Sequence, residues 1–265
     1  MKHFISKDGT RIAFKCGGVG HPLVLIHGTG IDHTYWDPIT PGLEQHFTVY
    51  NVDRRGHGRS GDTEPYEIQH EFEDVAALVD SIQEKVFLLG HSYGALCSLE
   101  AALITTNIKK LVLNEPPMYT TIEVSYPVDA PDKFFAYLRA GEAEKALLML
   151  YEIGGMSKSE LNFLRSLTSW QARILAVPTI PREVISVRNY SFDPSRFKNL
   201  KIPVLFLLGS DSAPVYKAAT EALHAALPQS RLAILPGQQH DAALTAPDLF
   251  LREVIHFFLG DSPGL

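Results

Sequence analysis

Short apolar runs of strand length constrain this chain more than any other feature of its sequence. Each is only four to six residues long, and most are separated by segments with a helical pattern. Strands that are buried on both faces have this composition, because both sets of side chains meet apolar neighbours. The runs are LVLI at 23–26, FTVYNV at 47–52, VFLL at 86–89, KKLVLN at 109–114, VLFLL at 204–208 and RLAILP at 231–236.

Helical patterns alternate with these runs. Over residues 66–84 the apolar side chains recur at helical spacing, and further helices are predicted after Ser92, over 218–228 and over 247–259. This alternation of strand and helix predicts a parallel sheet with helices on both faces. A β-hairpin is predicted to precede it within the first 15 residues.

Residues 116–200 interrupt the alternation. They contain no buried strand run, but helical patterns occur over 132–141, 142–153 and 157–175, and prolines 178 and 181 are expected to end them. We therefore predict one α/β core made of residues 1–115 and 201–265. Residues 116–200 are predicted to be a helical insertion over the edge of the sheet where the loops gather.

Composition limits the partners that this chain can have. Of its 265 residues, 45% are hydrophobic and 20% are charged, and the formal net charge is −6. A mildly acidic chain is not expected to bind nucleic acid or a membrane surface, and its apolar runs are too short to span a bilayer. Two cysteines do not make a disulfide framework, so we expect a cytoplasmic protein. A monomer or homodimer is expected.

The sequence Gly90-His91-Ser92-Tyr93-Gly94 matches the pattern G-x-S-x-G. It follows a predicted strand and precedes a predicted helix, which is the context in which a nucleophilic serine is held on a sharp, strained turn. Glycines two residues away on each side would avoid steric clashes in such a turn. The alternative is a serine that only caps a helix, but the context favours the nucleophile.

A serine nucleophile needs a base and an acid that orients it. His240 follows the last predicted strand and is the expected base, whereas His27 and His57 are competitors that precede the serine. Asp211, directly after 204–210, is the expected acid because it gives the order serine, acid, histidine. Glu115, at the end of the run KKLVLNE, is the alternative acid.

A developing oxyanion needs hydrogen-bond donors. The backbone N–H of Tyr93 is one candidate, and that of Thr29, in the glycine-rich loop after 23–26, is the other. The expected substrate is small and apolar, so aromatic and thioether side chains are candidates to contact it. Those predicted to bind the substrate are Trp36, Met118, Tyr119 and Trp170.

No cofactor or metal is expected. Residues 56–61, GHGRSG, fit the dinucleotide pattern G-x-G-x-x-G, but residues 62–65 continue as a loop where that pattern requires a helix. His27, Asp53 and His57 do not have the spacing of a metal site.

Together these motifs resemble the α/β-hydrolase superfamily. They are HGTG at 27–30, DRRGHGRS at 53–60, GHSYGA at 90–95, the aspartate after FLLGS and GQQH near the end. The resemblance implies an eight-stranded, mostly parallel sheet, no cofactor and serine attack on an acyl carbon, with residues 116–200 as the variable cap. Members that open epoxides or displace halide carry aspartate at the nucleophile position, and here that position holds Ser92.

The expected function is that of a serine hydrolase. It would cleave a small to medium, largely apolar carboxylic ester, lactone or thioester through an acyl-enzyme intermediate. One alternative is a cofactor-free perhydrolase or haloperoxidase that uses the same triad. Another, from a different functional class, is a ligand receptor built on a hydrolase scaffold.

Overall fold

One eight-stranded sheet organises the molecule. A computed structural model describes residues 1–118, 130–153, 156–227 and 229–260. The strands are β1 Lys2–Ile5, β2 Arg11–Gly18, β3 His21–Ile26, β4 Phe47–Val52, β5 Val86–His91, β6 Ile108–Asn114, β7 Val204–Gly209 and β8 Arg231–Leu235. Their spatial order is β1-β2-β4-β3-β5-β6-β7-β8. The pairs β1–β2 and β2–β4 are antiparallel and all others are parallel, so the predicted eight-stranded, mostly parallel sheet is confirmed.

Helices cover the sheet and connect its strands. In chain order they are α1 Thr40–Glu44, α2 Ile68–Ser81, α3 Tyr93–Ala101, α4 Ala130–Arg139, α5 Ala143–Ile153, α6 Lys158–Ser166, α7 Trp170–Ala176, α8 Ile180–Asn189, α9 Pro214–Ala226, α10 Ala242–Thr245 and α11 Pro247–Leu259. None of the helices in the described part of the chain is both long and apolar enough to cross a membrane.

The two faces of the sheet bury two separate apolar cores. In β3, Val24 and Ile26 belong to one core, which also contains apolar residues of α2, α3 and α9. Leu23 and Leu25 belong to the other, together with residues of α1, α10 and α11. This division follows from strand geometry, since successive side chains point to opposite faces. It confirms that helices lie on both faces.

Parallel register brings the ends of the central strands to one edge of the sheet. Ile26 of β3 lies opposite Gly90 of β5. Asn114 of β6 lies opposite His91 of β5 on one side and Leu207 of β7 on the other. The loops that follow these four strands therefore begin next to one another.

Five helices, α4 to α8, lie between β6 and β7, where the sequence predicted a helical insertion. They share a small core of their own that includes Phe134, Leu147, Val177 and Ile180. The predicted helix over 157–175 is in fact two helices, α6 and α7. Helix α8 differs from the prediction, which had Pro181 end the preceding helix. A proline in the first turn removes no helical hydrogen bond, since that N–H has no partner within the helix.

The first turn of α3 packs unusually closely against the end of β3. A Cβ atom added to Gly94 would lie 2.3 Å from the carbonyl oxygen of His27 and 2.4 Å from that of Ile26. Both contacts are with backbone, which cannot rotate away as a side chain can. A glycine at this position therefore fixes the distance between α3 and the loop after β3.

We expect Gly94→Ala to lower the free energy of unfolding by about 3 kcal/mol or more, because the backbone of β3 must shift. Gly141→Ala is a suitable control, since its added Cβ meets open space and only its φ of +73° is unfavourable. That control should cost about 1 kcal/mol. Urea denaturation of both variants measures the difference, and equal losses would show that the close packing at Gly94 does not matter.

Candidate active site

Ser92 lies on the turn between β5 and α3 with a φ of 52° and a ψ of −124°, a backbone conformation that non-glycine residues rarely adopt. The N–H of Ser92 donates to the carbonyl oxygen of Asn114, at 2.9 Å, which ties the turn to the end of β6. A Cβ added to Gly90 would lie 2.5 Å from the carbonyl oxygen of Gly94. The tight turn thus requires the glycine that precedes the serine.

His240 lies on the loop after β8, and its ring is close to two others. Tyr216 of α9 stacks on it, with ring centroids 3.9 Å apart, and the His91 ring is tilted at a centroid distance of 4.6 Å. Nδ1 of His240 is 2.7 Å from Oε2 of Glu115. An ionised carboxylate can only accept a hydrogen bond, so Nδ1 carries the proton and Nε2 is left as the basic nitrogen.

Glu115 directly follows β6 and has no solvent-exposed surface. Besides His240, its carboxylate accepts hydrogen bonds from the N–H of Gly209, at 2.8 Å, and from the Ser212 hydroxyl. Burial alone would raise the pKa of Glu115. The hydrogen bond and charge of His240, with those of Ser212 and Gly209, outweigh it and hold the pKa below its usual value. The carboxylate is therefore ionised at neutral pH.

Asp211, the predicted acid, does not contact His240 through any hydrogen bond in the described structure. Its side chain is exposed and accepts a hydrogen bond from the Ser210 hydroxyl, at 2.8 Å, while its N–H donates to the Gln238 carbonyl oxygen, at 2.9 Å. The prediction is corrected in favour of the alternative, Glu115. The turn after β7 directs Ser212, rather than Asp211, toward the interior.

Backbone strain marks the same two positions. Among the described residues, Ser92 and Glu115 are the non-glycine residues with positive φ, at 52° and 46°. Such a conformation costs on the order of 1–3 kcal/mol per residue and persists only where the surroundings enforce it. Strain of this kind is typical of functional sites, so it supports a role for both residues.

We expect Glu115→Gln to lower kcat by about a thousandfold or more, because an amide can donate to His240 and favour the wrong tautomer. Asp211→Asn is the matched control and should retain activity close to that of the wild type, since its side chain is exposed. Steady-state kinetics on one ester substrate compares the two variants. A large loss with Asp211→Asn and none with Glu115→Gln would reverse the assignment.

The glycine-rich loop after β3 runs beside Ser92. A Cβ added to Gly28 would lie 3.0 Å from Cβ of Ser92 and 3.0 Å from Cδ2 of His91. Thr29 follows in this loop, and Tyr93 begins α3, where the first N–H groups have no partner within the helix. The two residues predicted to supply oxyanion donors therefore lie next to Ser92 in space or in sequence.

A buried carboxylate of α8 pairs with two residues of the neighbouring loop after β4. Glu183 of α8 has no exposed surface and accepts a hydrogen bond from Arg54, and its Oε1 lies 3.1 Å from Nε2 of His57. Burial would raise the pKa of Glu183, but the charges of Arg54 and His57 lower it, with a further contribution from the Thr29 side chain. Glu183 thus connects the helical region between β6 and β7 to Arg54 and His57 in the loop after β4.

Arg54 extends the same network to Tyr93. Its guanidinium carbon lies 4.6 Å from the centroid of the Tyr93 ring and its Nη1 lies 3.6 Å from Oε1 of Glu71. The hydroxyl of Tyr66 donates to Glu71, at 2.8 Å, and lies 2.6 Å from the hydroxyl of Tyr93. The network therefore reaches Tyr93 at the start of α3. No sequence motif points to Glu183, whereas Arg54 belongs to the quoted motif DRRGHGRS.

We expect Glu183→Gln to lower the free energy of unfolding by about 3 kcal/mol, because it leaves the buried charge of Arg54 with Glu71 alone. It should also lower kcat more than it changes KM, since Arg54, whose N–H donates to His27 at the start of the Thr29 loop, loses an ion-pair partner. Glu152→Gln, on an exposed position of α5, is the control and should change neither quantity. Thermal denaturation and ester kinetics measure the two effects, and an unchanged melting temperature would contradict the first.

Three of the four residues predicted to bind substrate can be located. Trp36 belongs to the apolar core shared with α1, α10 and α11 and packs on Tyr35 and Phe250, so the prediction that it binds substrate is corrected. The turn at His33–Trp36 directs this side chain inward rather than toward the loops. Met118 is also buried, and Trp170 is partly buried with its Nε1 donating to Glu144. Tyr119 lies outside the described residues.

The competing histidines have structural partners. Nδ1 of His27 donates to the carbonyl oxygen of Gly28, at 2.8 Å, and its Nε2 accepts from the N–H of Arg54, at 3.1 Å. Burial, aided by the charge of Arg54, holds the pKa of His27 well below its usual value, so the ring is neutral.

The loop over 56–61, which fits the dinucleotide pattern, is not followed directly by a helix. Helix α2 begins only at Ile68.

One cluster could offer ligands to a metal ion within the described ranges: oxygen and nitrogen atoms of Asp32, His33 and Asp53 lie within 4.8 Å of one another. The carboxylate of Asp53 already accepts hydrogen bonds from the N–H and Nδ1 of His33 and from the N–H of Arg59. These bonds hold the loop after β4 in place.

Comparison with known proteins agrees with the fold and the site. Residues 23–253 match the Alpha/beta hydrolase family. A crystal structure of an alpha/beta hydrolase from Sphaerobacter thermophilus DSM 20745 is similar with a TM-score of 0.83 and 31% identity, covering 97% of this chain and 100% of that one. A protein of Agrobacterium fabrum named "Putative carbamate hydrolase RutD" is 28% identical over 89% of this chain and 92% of its own length. The pimeloyl-(acyl-carrier protein) methyl ester esterase of Edwardsiella ictaluri is 26% identical over 93% and 96%.

The family match extends over most of the sheet and includes the turn that carries Ser92. The chain therefore belongs to the alpha/beta hydrolase family. It is an enzyme of the hydrolase class.

Proposed function

We propose that this enzyme hydrolyses carboxylic esters with Ser92 as nucleophile, His240 as general base and Glu115 as the acid that orients the histidine. One observation carries the proposal above all others. A buried, ionised carboxylate contacts Nδ1 of the partly buried His240, at 2.7 Å, and it directly follows Asn114, whose carbonyl oxygen accepts from the N–H of Ser92. That arrangement fixes the tautomer that a base needs and stabilises the imidazolium that forms.

In the acylation step, Nε2 of His240 takes the proton of the Ser92 hydroxyl while Oγ forms a bond to the acyl carbon. The carbonyl oxygen becomes an oxyanion, which the N–H groups of Thr29 and Tyr93 stabilise. When the tetrahedral intermediate collapses, the bond to the leaving oxygen breaks and that oxygen takes the proton from the imidazolium. The product of this step is an acyl-enzyme and a free alcohol.

Deacylation repeats the sequence with water. His240 takes a proton from a water molecule as its oxygen bonds to the acyl carbon, and a second oxyanion forms. Collapse breaks the bond to Oγ of Ser92, which recovers its proton from His240, and the carboxylic acid is released. The same groups therefore serve both halves of the reaction.

The proposed substrate is a small to medium, largely apolar ester, lactone or thioester. Residues 116–200 are proposed to form a cap over the active site, with Met118, Tyr119 and Trp170 near the acyl chain. Two contacts across this boundary support a cap: Ile180 would touch a Cβ placed on Gly30, at 3.1 Å, and Glu183 contacts Arg54. The esterase name of one relative favours esters, and the carbamate name of another extends the class to related acyl groups.

The proposed setting is the cytoplasm, with the enzyme as a monomer or homodimer. Both cysteines, Cys16 and Cys97, are free thiols, which supports a reducing compartment.

A panel of p-nitrophenyl esters of graded acyl length tests this function. Wild-type enzyme should hydrolyse at least the shorter members, and Ser92→Ala should lower kcat/KM by roughly a thousandfold or more because the nucleophile is lost. Melting temperature confirms that the variant is folded.

Three outcomes would contradict the proposed function. Equal activity of the wild type and Ser92→Ala would remove the serine from the mechanism. Stoichiometric labelling of Ser92 without repeated turnover would indicate a receptor, and turnover that requires peroxide and a carboxylic acid would indicate a perhydrolase.

A further inference from the structure

Arg173 of α7 is a buried cation that is only partly satisfied. Arg173 is only 4% exposed to solvent. Its Nη1 donates to the hydroxyl of Tyr151, at 3.0 Å. Within the described part of the chain, its Nε and Nη2 have no hydrogen-bond partner. Buried guanidinium nitrogens are normally paired, because leaving such donors unpaired is unfavourable.

The two free nitrogens are adjacent on one edge of the guanidinium. Nε and Nη2 point in nearly parallel directions, which is the geometry that a carboxylate accepts with its two oxygens. The bond from Nη1 to Tyr151 anchors the opposite end of the group. Arg173 is thus held with its carboxylate-binding edge unoccupied.

This cation lies among residues that flank the catalytic ones. Its charge acts on Tyr35, His91 and Asp241. Burial is the main cause of the lowered pKa of His91, and the charges of His240 and Arg173 add to it. Tyr35 stacks on His91 with ring centroids 4.3 Å apart, and the His91 ring is 4.6 Å from that of His240. Arg173 therefore lies close enough for its charge to act on His91, whose ring neighbours that of His240.

Asp241 is a carboxylate whose charge acts on Arg173. Its Oδ1 lies 3.6 Å from Nε2 of His91, and it is not within hydrogen-bond distance of Nε or Nη2 of Arg173. The carboxylate of Asp241 therefore balances part of the charge at a distance and leaves the bidentate edge of Arg173 available.

We propose that Arg173 binds a carboxylate of the substrate, so that the preferred substrates are esters whose acyl chain ends in a free carboxylate. This inference rests on the proposed function and narrows its substrate class. The apolar stem of such a substrate would contact the apolar side chains near the site, and its terminal carboxylate would pair with Nε and Nη2. A neutral ester of the same length would leave the cation unpaired.

Turnover measures this preference directly. Monomethyl esters of dicarboxylic acids with four to eight carbons are compared, at one pH, with methyl esters of monocarboxylic acids of the same chain length. At one or two lengths the wild type should prefer the anionic ester by about tenfold or more in kcat/KM. Arg173→Met should abolish that preference, mainly by raising KM for the anionic ester.

Arg173→Lys keeps the charge but loses the bidentate edge, so it should retain only part of the preference. Tyr151→Phe is the matched control: it removes the anchor of Nη1, keeps both free nitrogens and should retain most of the preference. If Arg173→Met does not fold, as judged by circular dichroism, these two variants still give the comparison. Preference for neutral esters at every length, or an equal preference in wild type and Arg173→Lys, would overturn the inference.

A binding measurement separates this inference from the proposed function. Calorimetry measures the Kd of Ser92→Ala for the monomethyl ester that binds best. Because this variant lacks the nucleophile, the Kd reports carboxylate binding without turnover. Adding Arg173→Met or Arg173→Lys to Ser92→Ala should raise Kd by about tenfold or more. If no ester is hydrolysed but this difference is found, the proposed function fails and the carboxylate site stands. If esters are hydrolysed and Kd does not change, the site is wrong and the function stands.

Discussion

The hydrogen bond between Glu115 and His240 is the interaction on which the site depends. It joins the end of β6 to the loop after β8, and the same carboxylate accepts from Gly209 at the end of β7. Three strand ends are therefore held by one buried group. The strained φ of Glu115 is maintained by these bonds, and the carbonyl of Asn114, one residue earlier, fixes the turn of Ser92. The proposed nucleophile and base are thus positioned by two consecutive residues, Asn114 at the end of β6 and Glu115 directly after it.

A second buried network consists of ion pairs and is structural. Arg54 lies between Glu183 and Glu71 and over the ring of Tyr93, at a depth where unpaired charges would be costly. Networks of this kind contribute little net stability but permit few alternative arrangements, because any shift leaves a charge unpaired. The helical region is thereby joined to the loop after β4, whose Arg54 N–H donates to His27 directly after β3. Arg54 has hydrogen-bonded Glu183 as a buried counter-ion, whereas the described residues give Arg173 no hydrogen-bonded carboxylate.

Much of the fold could be predicted because strand and helix periodicity is local. Each buried strand has its own apolar run, and the nucleophile turn is specified within five residues by Gly90, Ser92 and Gly94. Trp36 was misassigned because an aromatic residue in a loop has the same sequence signal whether it faces a ligand or the core. Helix α8 was not predicted because proline occurs both in the first turn of a helix and just after the end of one.

The sequence by itself determined the order of strands and helices, the serine turn and a short set of candidate acids and bases. Only the tertiary structure decided between Asp211 and Glu115, because both follow neighbouring parallel strands and end at the same edge of the sheet. The choice depends on which carboxylate the turn after β7 buries, and that is fixed by contacts with Gly209 and Ser212. Such contacts join residues almost a hundred positions apart, so no local pattern encodes them.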